Sequence, residues 1–212
     1  MLNKKNMAHM AHRAWIISGP SGSGKTTLCE ALLKDAFWSK RLVKSVSYTT
    51  RPLRLGEKEG RDYRRISEES FLRLKEDGGF YESEKIFGFY YGTPKKAFLD
   101  AGKEGKDLLL SIDVKGARSL RKSLGRKAVS IFVLPPELKV LRERLRLRST
   151  EGKKDIENRL RRVKIELSFM KDYDYIVVND DLKAALAKLK SILTAKQCEG
   201  TYVLRTIGKA YR

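Results

Sequence analysis

The chain has 212 residues, 41% hydrophobic and 34% charged, which fits one folded domain with a core of its own and excludes a fibrous, disordered or large modular protein. Lys and Arg number 46 against 26 Asp and Glu, a net charge of +20, which suits a polyanionic partner: nucleic acid, an anionic surface or small phosphorylated ligands. No apolar run is long enough to span a bilayer. Cys29 and Cys198 match no metal-ligand spacing, and the two histidines are His9 and His12, so neither a zinc site nor histidine catalysis is expected.

Residues 1–13 hold two Ala-His repeats without apolar periodicity and are expected as a flexible arm. They contain no apolar signal core, so the expected setting is cytoplasmic. Trp15-Ile16-Ile17 reads as a buried strand that ends in a glycine-rich turn. A helix is predicted over 25–36, a strand over 43–49, and a polar loop over 50–62. Ser67 is a plausible N-cap for a helix over 67–77. An extended segment over 80–87 and a helix over 94–101 follow, then a strand over 108–112 and a helix to about 124. The strand over 129–134 stops at Pro135-Pro136. A basic helix is predicted over 137–148, a polar break over 149–154, and a helix over 155–170. In that last helix Ile156, Leu160, Val163, Leu167 and Met170 recur every three or four residues. A strand over 175–178, a helix over 182–193 and a basic tail over 194–212 complete the chain. Strands alternating with helices imply an α/β fold, a mostly parallel sheet flanked by helices, with ligands at the carboxyl ends of the strands.

Gly19-Pro20-Ser21-Gly22-Ser23-Gly24-Lys25-Thr26 fits G-x-x-x-x-G-K-[ST] without a mismatch, and Thr27 continues into the helix. The glycines let backbone N–H groups converge on phosphate oxygens, and the helix N-terminus favours an anion. Lys25 can reach the β- and γ-phosphates, and the Thr26 hydroxyl can ligate Mg²⁺. By itself this loop does not separate a motor, a GTPase, a nucleic-acid enzyme or a small-molecule kinase.

Further on, Arg51 and Arg54 stand three apart in the polar loop, and Tyr63 follows. Two guanidinium forks and a phenol can grip one phosphate, although a solvated basic loop would look the same. With Ser-Val-Ser-x-Thr-Thr-Arg-x-x-Arg-x-Gly-Glu over 45–57, Gly60-x-x-Tyr63, Phe80-Tyr81-Glu82, Tyr90-Tyr91-Gly92-Thr93, Ile112-Asp113-x-x-Gly116, Leu134-Pro135-Pro136, Arg144-Leu145-x-x-Arg148 and Val178-Asn179-Asp180-Asp181, the chain resembles guanylate kinase over about 14–193. The resemblance implies a P-loop NTPase-type fold with a GMP-binding insert at about 45–93 and a mobile lid at about 147–159. It implies that ATP is the phosphoryl donor, bound with Mg²⁺ through 19–27 and Asn179. It implies that Arg51, Arg54, Tyr63 and Tyr91 hold the GMP phosphate, that Ser47, Glu82 and Thr93 read guanine, and that Asp113 belongs to the GMP site. Arg144, Arg148 and Arg159 match the family's phosphate-contacting arginines.

Chemistry supports the guanine reading. N1–H and the 2-amino group are neighbouring donors that one carboxylate accepts together; adenine lacks that pair, and such polar sites reject a wrong base by roughly 10⁴-fold. Two positions depart from the family pattern: Ser111 stands where an acidic residue is frequent, and Lys115 where glutamine is usual. Eleven Lys/Arg and four Asp/Glu lie between Lys139 and Lys164; alone, the stretch would also suit an RNA-binding helix. No recognisable RNA- or DNA-binding motif accompanies it, so no specific nucleic-acid partner is expected, nor a membrane. A monomer or homodimer is expected. A non-catalytic module that binds phosphorylated partners and a kinase of another phosphorylated acceptor are the competing classes; the intact Lys25 and Thr26 disfavour the first, and the guanine-reading set disfavours the second.

Overall fold

Alternation of side chains along the first strand organises the protein. In β1 (Ala14–Ser18), Trp15 and Ile17 join one apolar cluster while Ala14 and Ile16 join another, because successive strand residues face opposite sides. The structure, a computed structural model, describes residues 12–54, 56–86, 88–148, 153–200 and 203, with the backbone alone for 144–148 and 153–160. Around β1 lie β2 (Leu42–Lys44), β7 (Asp107–Ser111), β8 (Ala128–Leu134) and β9 (Tyr175–Val178), in the order β2-β7-β1-β8-β9, every pair parallel. One face is covered by α1 (Lys25–Lys34) and α7 (Leu182–Gln197), through Leu28, Leu32, Ala185, Leu189 and Leu193. The other is covered by α3 (Lys95–Lys103) and α4 (Val114–Leu124), through Phe98, Ala101, Ala117 and Leu120. With both faces covered, a parallel sheet reads as continuous apolar runs, which is what made these strands visible in the sequence.

The segment expected as one strand over 43–49 divides. Ser45 N–H still donates to Leu109 O at 2.8 Å, but Ser47–Thr49 forms β3 of a second sheet. That sheet runs β4-β3-β6-β5, from β4 (Tyr63–Arg65), β5 (Phe80–Ile86) and β6 (Phe89–Pro94). β3 pairs parallel with β4 and antiparallel with β6, and β5 pairs antiparallel with β6. Its helix, α2 (Glu68–Glu76), is capped by the Ser67 side chain, which accepts from Ser70 N–H. Phe71 from α2 is fully buried and stacks on Phe80 and Tyr90 at 4.5 and 5.3 Å. Gly92 lies under those rings; a Cβ there would come within 2.9 Å of Phe80.

Two helices complete the described fold, α5 (Leu138–Arg148) and α6 (Lys153–Ser168), which meet through Leu141, Val163 and Leu167. Of the polar break expected over 149–154, residues 149–152 lie outside the described residues, and Lys153 and Lys154 instead open α6. Residues 1–11 of the expected arm lie outside the described residues, but the parts of both end segments that are described depart from expectation. Arg13, placed in the flexible arm, is 5% exposed. Its N–H donates to Asp107 Oδ1 at 2.7 Å, and its guanidinium reaches Lys196 O and Glu199. The same contacts extend the last helix to Gln197, into the segment expected as a tail. No described helix is long and apolar enough to cross a membrane.

Candidate active site

The donor side is built where β1 ends. Gly19 and Gly24 have φ of +134° and +92°, values that side chains with a Cβ rarely adopt. A Cβ on Gly19 would run into the Val133 carbonyl of β8, and one on Gly24 into the Asn179 amide after β9. The loop therefore packs too closely on its neighbours for any other residue. Lys25 Nζ donates to Gly19 O at 2.7 Å and to Pro20 O at 2.9 Å, folding over the loop it belongs to. Thr26 and Thr27 are exposed in the first turn of α1. Ser23 and Asn179, both expected to meet ATP, are turned inward. Ser23 is fully buried and Asn179 6% exposed, and Asn179 Nδ2 donates to Ser23 O at 2.8 Å. The Asn179 amide braces the loop from behind, because the end of β9 lies beside that of β8.

The acceptor side is built on the second sheet. Arg51, 9% exposed, donates from Nε to Tyr91 Oη at 3.0 Å and from Nη2 to both Glu57 carboxylate oxygens at 2.9 and 2.8 Å. Its guanidinium lies 5.6 Å from the centre of the Tyr63 ring, and the Tyr63 and Tyr91 rings meet edge to face at 5.9 Å. Register explains the grouping: Ser47 pairs with Tyr63, and Thr49 with Tyr91. Three of the four residues expected around the GMP phosphate are thus in one cluster. The fourth, Arg54, contributes its backbone N–H to Glu57 Oε2 at 2.8 Å and exposes its side chain. Glu57 holds the Arg51 guanidinium and the Arg54 backbone, a role not expected from the sequence although it closes the Arg-x-x-Arg-x-Gly-Glu pattern. Burial pushes its carboxyl up, but the Arg54 N–H and the Arg51 guanidinium hold it below its ordinary pKa.

Glu82 and Thr93 are directly cross-strand in β5 and β6, and Thr93 Oγ1 donates to Glu82 Oε1 at 2.5 Å. The pair faces the start of α4, where a Cβ on Gly116 would lie 3.2 Å from the Glu82 carboxylate and 3.4 Å from Asp113 Oδ1. Asp113 caps α4, accepting from Gly116 N–H at 2.8 Å. Burial drives the Glu82 carboxyl up to about 7; the charges of Asp113 and Glu84 add to this, and the Thr93 hydrogen bond opposes it. Ser111, at the end of β7, is exposed. Arg144, Arg148 and Arg159 lie on α5 and α6 by backbone position; their side chains lie outside the described residues.

The described structure adds one more set that the sequence did not signal. Arg162 on α6 lies with Nη2 3.5 Å from Asp113 Oδ2 and donates from Nε to Glu166 Oε1 at 3.2 Å. Glu166 is 7% exposed. Burial raises its carboxyl pKa, while the positive charges of Lys25 and Arg162 oppose the rise. A half-exposed arginine thus contacts both Asp113 and a buried carboxylate that feels the charge of Lys25. Among the described residues, no three His, Cys, Asp or Glu side chains gather as a metal site. The available donor is the exposed Thr26 hydroxyl, which fits a magnesium ion held mainly by nucleotide phosphates and water.

A parallel α/β sheet with a phosphate loop after its first strand, joined to a second sheet that gathers an arginine and two tyrosine phenols, fits a phosphoryl-transferring kinase. The family model for guanylate kinase matches residues 11–196. A guanylate kinase of Caldanaerobacter subterraneus is 41% identical over 86% of this chain and 87% of its own. One from Maricaulis maris is 44% identical over 85% and 82%. The crystal structure of guanylate kinase from Anaplasma phagocytophilum superposes with a TM-score of 0.72 at 34% identity, covering 91% of this chain and 89% of that one. The chain belongs to the guanylate kinase family, and its activity is the phosphorylation of GMP.

Proposed function

We propose that ATP is the phosphoryl donor, held with Mg²⁺ by the loop 19–27, and that the second sheet holds GMP. In this reading Arg51, Arg54, Tyr63 and Tyr91 take the GMP phosphate, and Ser47, Glu82, Thr93 and Asp113 surround the base. Residues 45–93 then form the acceptor subdomain and 147–159 the lid that brings Arg144, Arg148 and Arg159 to the phosphates. The observation that carries it is the pairing of two built sites: Arg51, Tyr63 and Tyr91 in contact at one place on the sheet, and Glu82 hydrogen-bonded to the buried Thr93 at another.

The second pKa of a phosphate monoester is about 6, so near neutral pH the acceptor oxygen is already a nucleophile and no general base is required. The difficulty is bringing two polyanions together. Lys25 exchanges its two loop carbonyls for donor phosphate oxygens, and Arg51 keeps its bidentate grip on Glu57 while Tyr91 and Arg54 complete the acceptor cradle. Mg²⁺, when bound, neutralises charge on the donor phosphates. Exclusion of water by the closed site keeps the transfer from becoming hydrolysis.

Calorimetric titration of ATP and GMP separately tests the layout. Arg51→Ala should weaken GMP by about tenfold or more and leave ATP within about twofold. Equal losses for both nucleotides would contradict two separate sites.

A further inference from the structure

We propose that Arg162 is a further phosphate-binding residue, placed where the donor and acceptor phosphates meet. It lies on α6 with its side chain 39% exposed, so a ligand can reach it. On one side it approaches Asp113, at the end of α4 next to Glu82. On the other it is held by Glu166, the buried carboxylate that also feels the charge of Lys25. Arg162 therefore bridges the acceptor pocket and the phosphate loop through two carboxylates. The Asp113 contact is long, at 3.5 Å, and oxygen atoms of phosphate offer a guanidinium a better-matched partner than a second, already capping carboxylate. Glu166 fixes Nε and leaves the guanidinium plane directed, which lowers the entropy lost when phosphates arrive. Phosphates entering between the two sites replace Asp113 as partner, and Glu166 keeps the arginine in place. The inference rests on the two-site layout proposed above.

The test compares Arg162→Ala, Arg162→Lys and Arg161→Ala, the last removing the same charge from the exposed neighbour on α6. Thermal melts confirm that each variant folds. Arg162→Ala should lower kcat about tenfold or more, with KM for ATP and GMP within about threefold, and Arg162→Lys should recover part of the loss. Arg161→Ala should match the parent protein. The direct readout is binding of an analogue that joins adenosine and guanosine through five phosphates. Arg162→Ala should weaken it about tenfold while GMP alone binds as to the parent. A kcat within about twofold of the parent would overturn the proposal, as would an equal loss in Arg161→Ala or an equal loss of GMP alone. If the analogue fails to displace both GMP and ATP from the parent protein, the two-site layout itself is wrong, and the role of Arg162 falls with it.

Discussion

Glu82 is half-buried, under the negative charges of Asp113 and Glu84, a costly place for a further negative charge. Its carboxyl is raised from 4.5 to about 7, so the fold favours the neutral acid. Ionising it withdraws stability as pH rises from about 4.5 to about 7. In the proposed site guanine would reverse that preference, because N1–H and the 2-amino group are donors that need the ionised form. GMP binding at about pH 6.5 should therefore release protons, and the release should fade by about pH 8.5. Calorimetry in two buffers of different ionisation enthalpy measures it. The same titration of Glu82→Gln provides the correction for the GMP phosphate, and identical release by parent and variant would rule the carboxyl out. Kinetically, Glu82→Gln loses a charged hydrogen bond and sets its NH₂ against a guanine donor, together about 2–4 kcal/mol. That converts to a fall of roughly 30- to 1000-fold in kcat/KM for GMP, with KM for ATP little changed. Preference over AMP should narrow in parallel assays, since adenine has no donor pair for the carboxylate.

The phosphate loop is an element held by its neighbours as much as by its own sequence. Asn179→Ala removes the donor to Ser23 O and leaves a buried carbonyl unpaired, costing about 1–3 kcal/mol. Chemical denaturation should read that loss and steady-state assays a raised KM for ATP, with KM for GMP unaffected. Gly24→Ala should abolish ATP binding outright, because both its backbone conformation and the Asn179 amide forbid a Cβ. Legibility in the sequence followed the same division between local and distant causes. The strands of the parallel sheet and the helices were readable from apolar runs and period. β4 was not, because Tyr63-Arg64-Arg65 is polar and is a strand only through its pairing with Ser47–Thr49. The break at Ser45 is equally invisible locally: one extended run is divided by which sheet offers each half a partner. At the site, a contiguous pattern marked the phosphate loop, whereas Tyr91, Glu82 and Thr93 were expected only through the family resemblance, and the pairing of Glu82 with Thr93 comes from the register of β5 and β6. Arg162 and Glu166 sit inside a run of charges and acquire meaning only from Asp113 and Lys25, far away in the chain.

Across the whole molecule, the charge of +20 and the acceptor cluster are separate matters. Binding to RNA or DNA should be weak, indifferent to sequence and steeply lost with salt; a sequence-selective complex persisting at about 200 mM salt would show a dedicated site instead. At the start of β1 the Asp107 carboxylate accepts from Arg13 N–H at 2.7 Å and from Trp15 Nε1 at 2.9 Å, while the Arg13 guanidinium reaches Lys196 O and Glu199. Asp107→Ala strands two buried donors and should cost about 2–4 kcal/mol in urea denaturation, with kcat retained because the pair lies at the opposite end of β1 from the phosphate loop. The division at Ser45 has a larger consequence. The second sheet has an aromatic core of its own around Phe71, and two residues, Ser45 and Val46, lead into it from the parallel sheet. Such a unit can open by itself as a separate cooperative block while the rest of the protein stays folded. Amide hydrogens of Ser47–Thr49, Tyr63–Arg65, Phe80–Ile86 and Phe89–Pro94 should then exchange together and faster than those of β1 and β8. Bound there as proposed, GMP should slow that group selectively, the acceptor nucleotide then acting as the missing piece of that sheet's core.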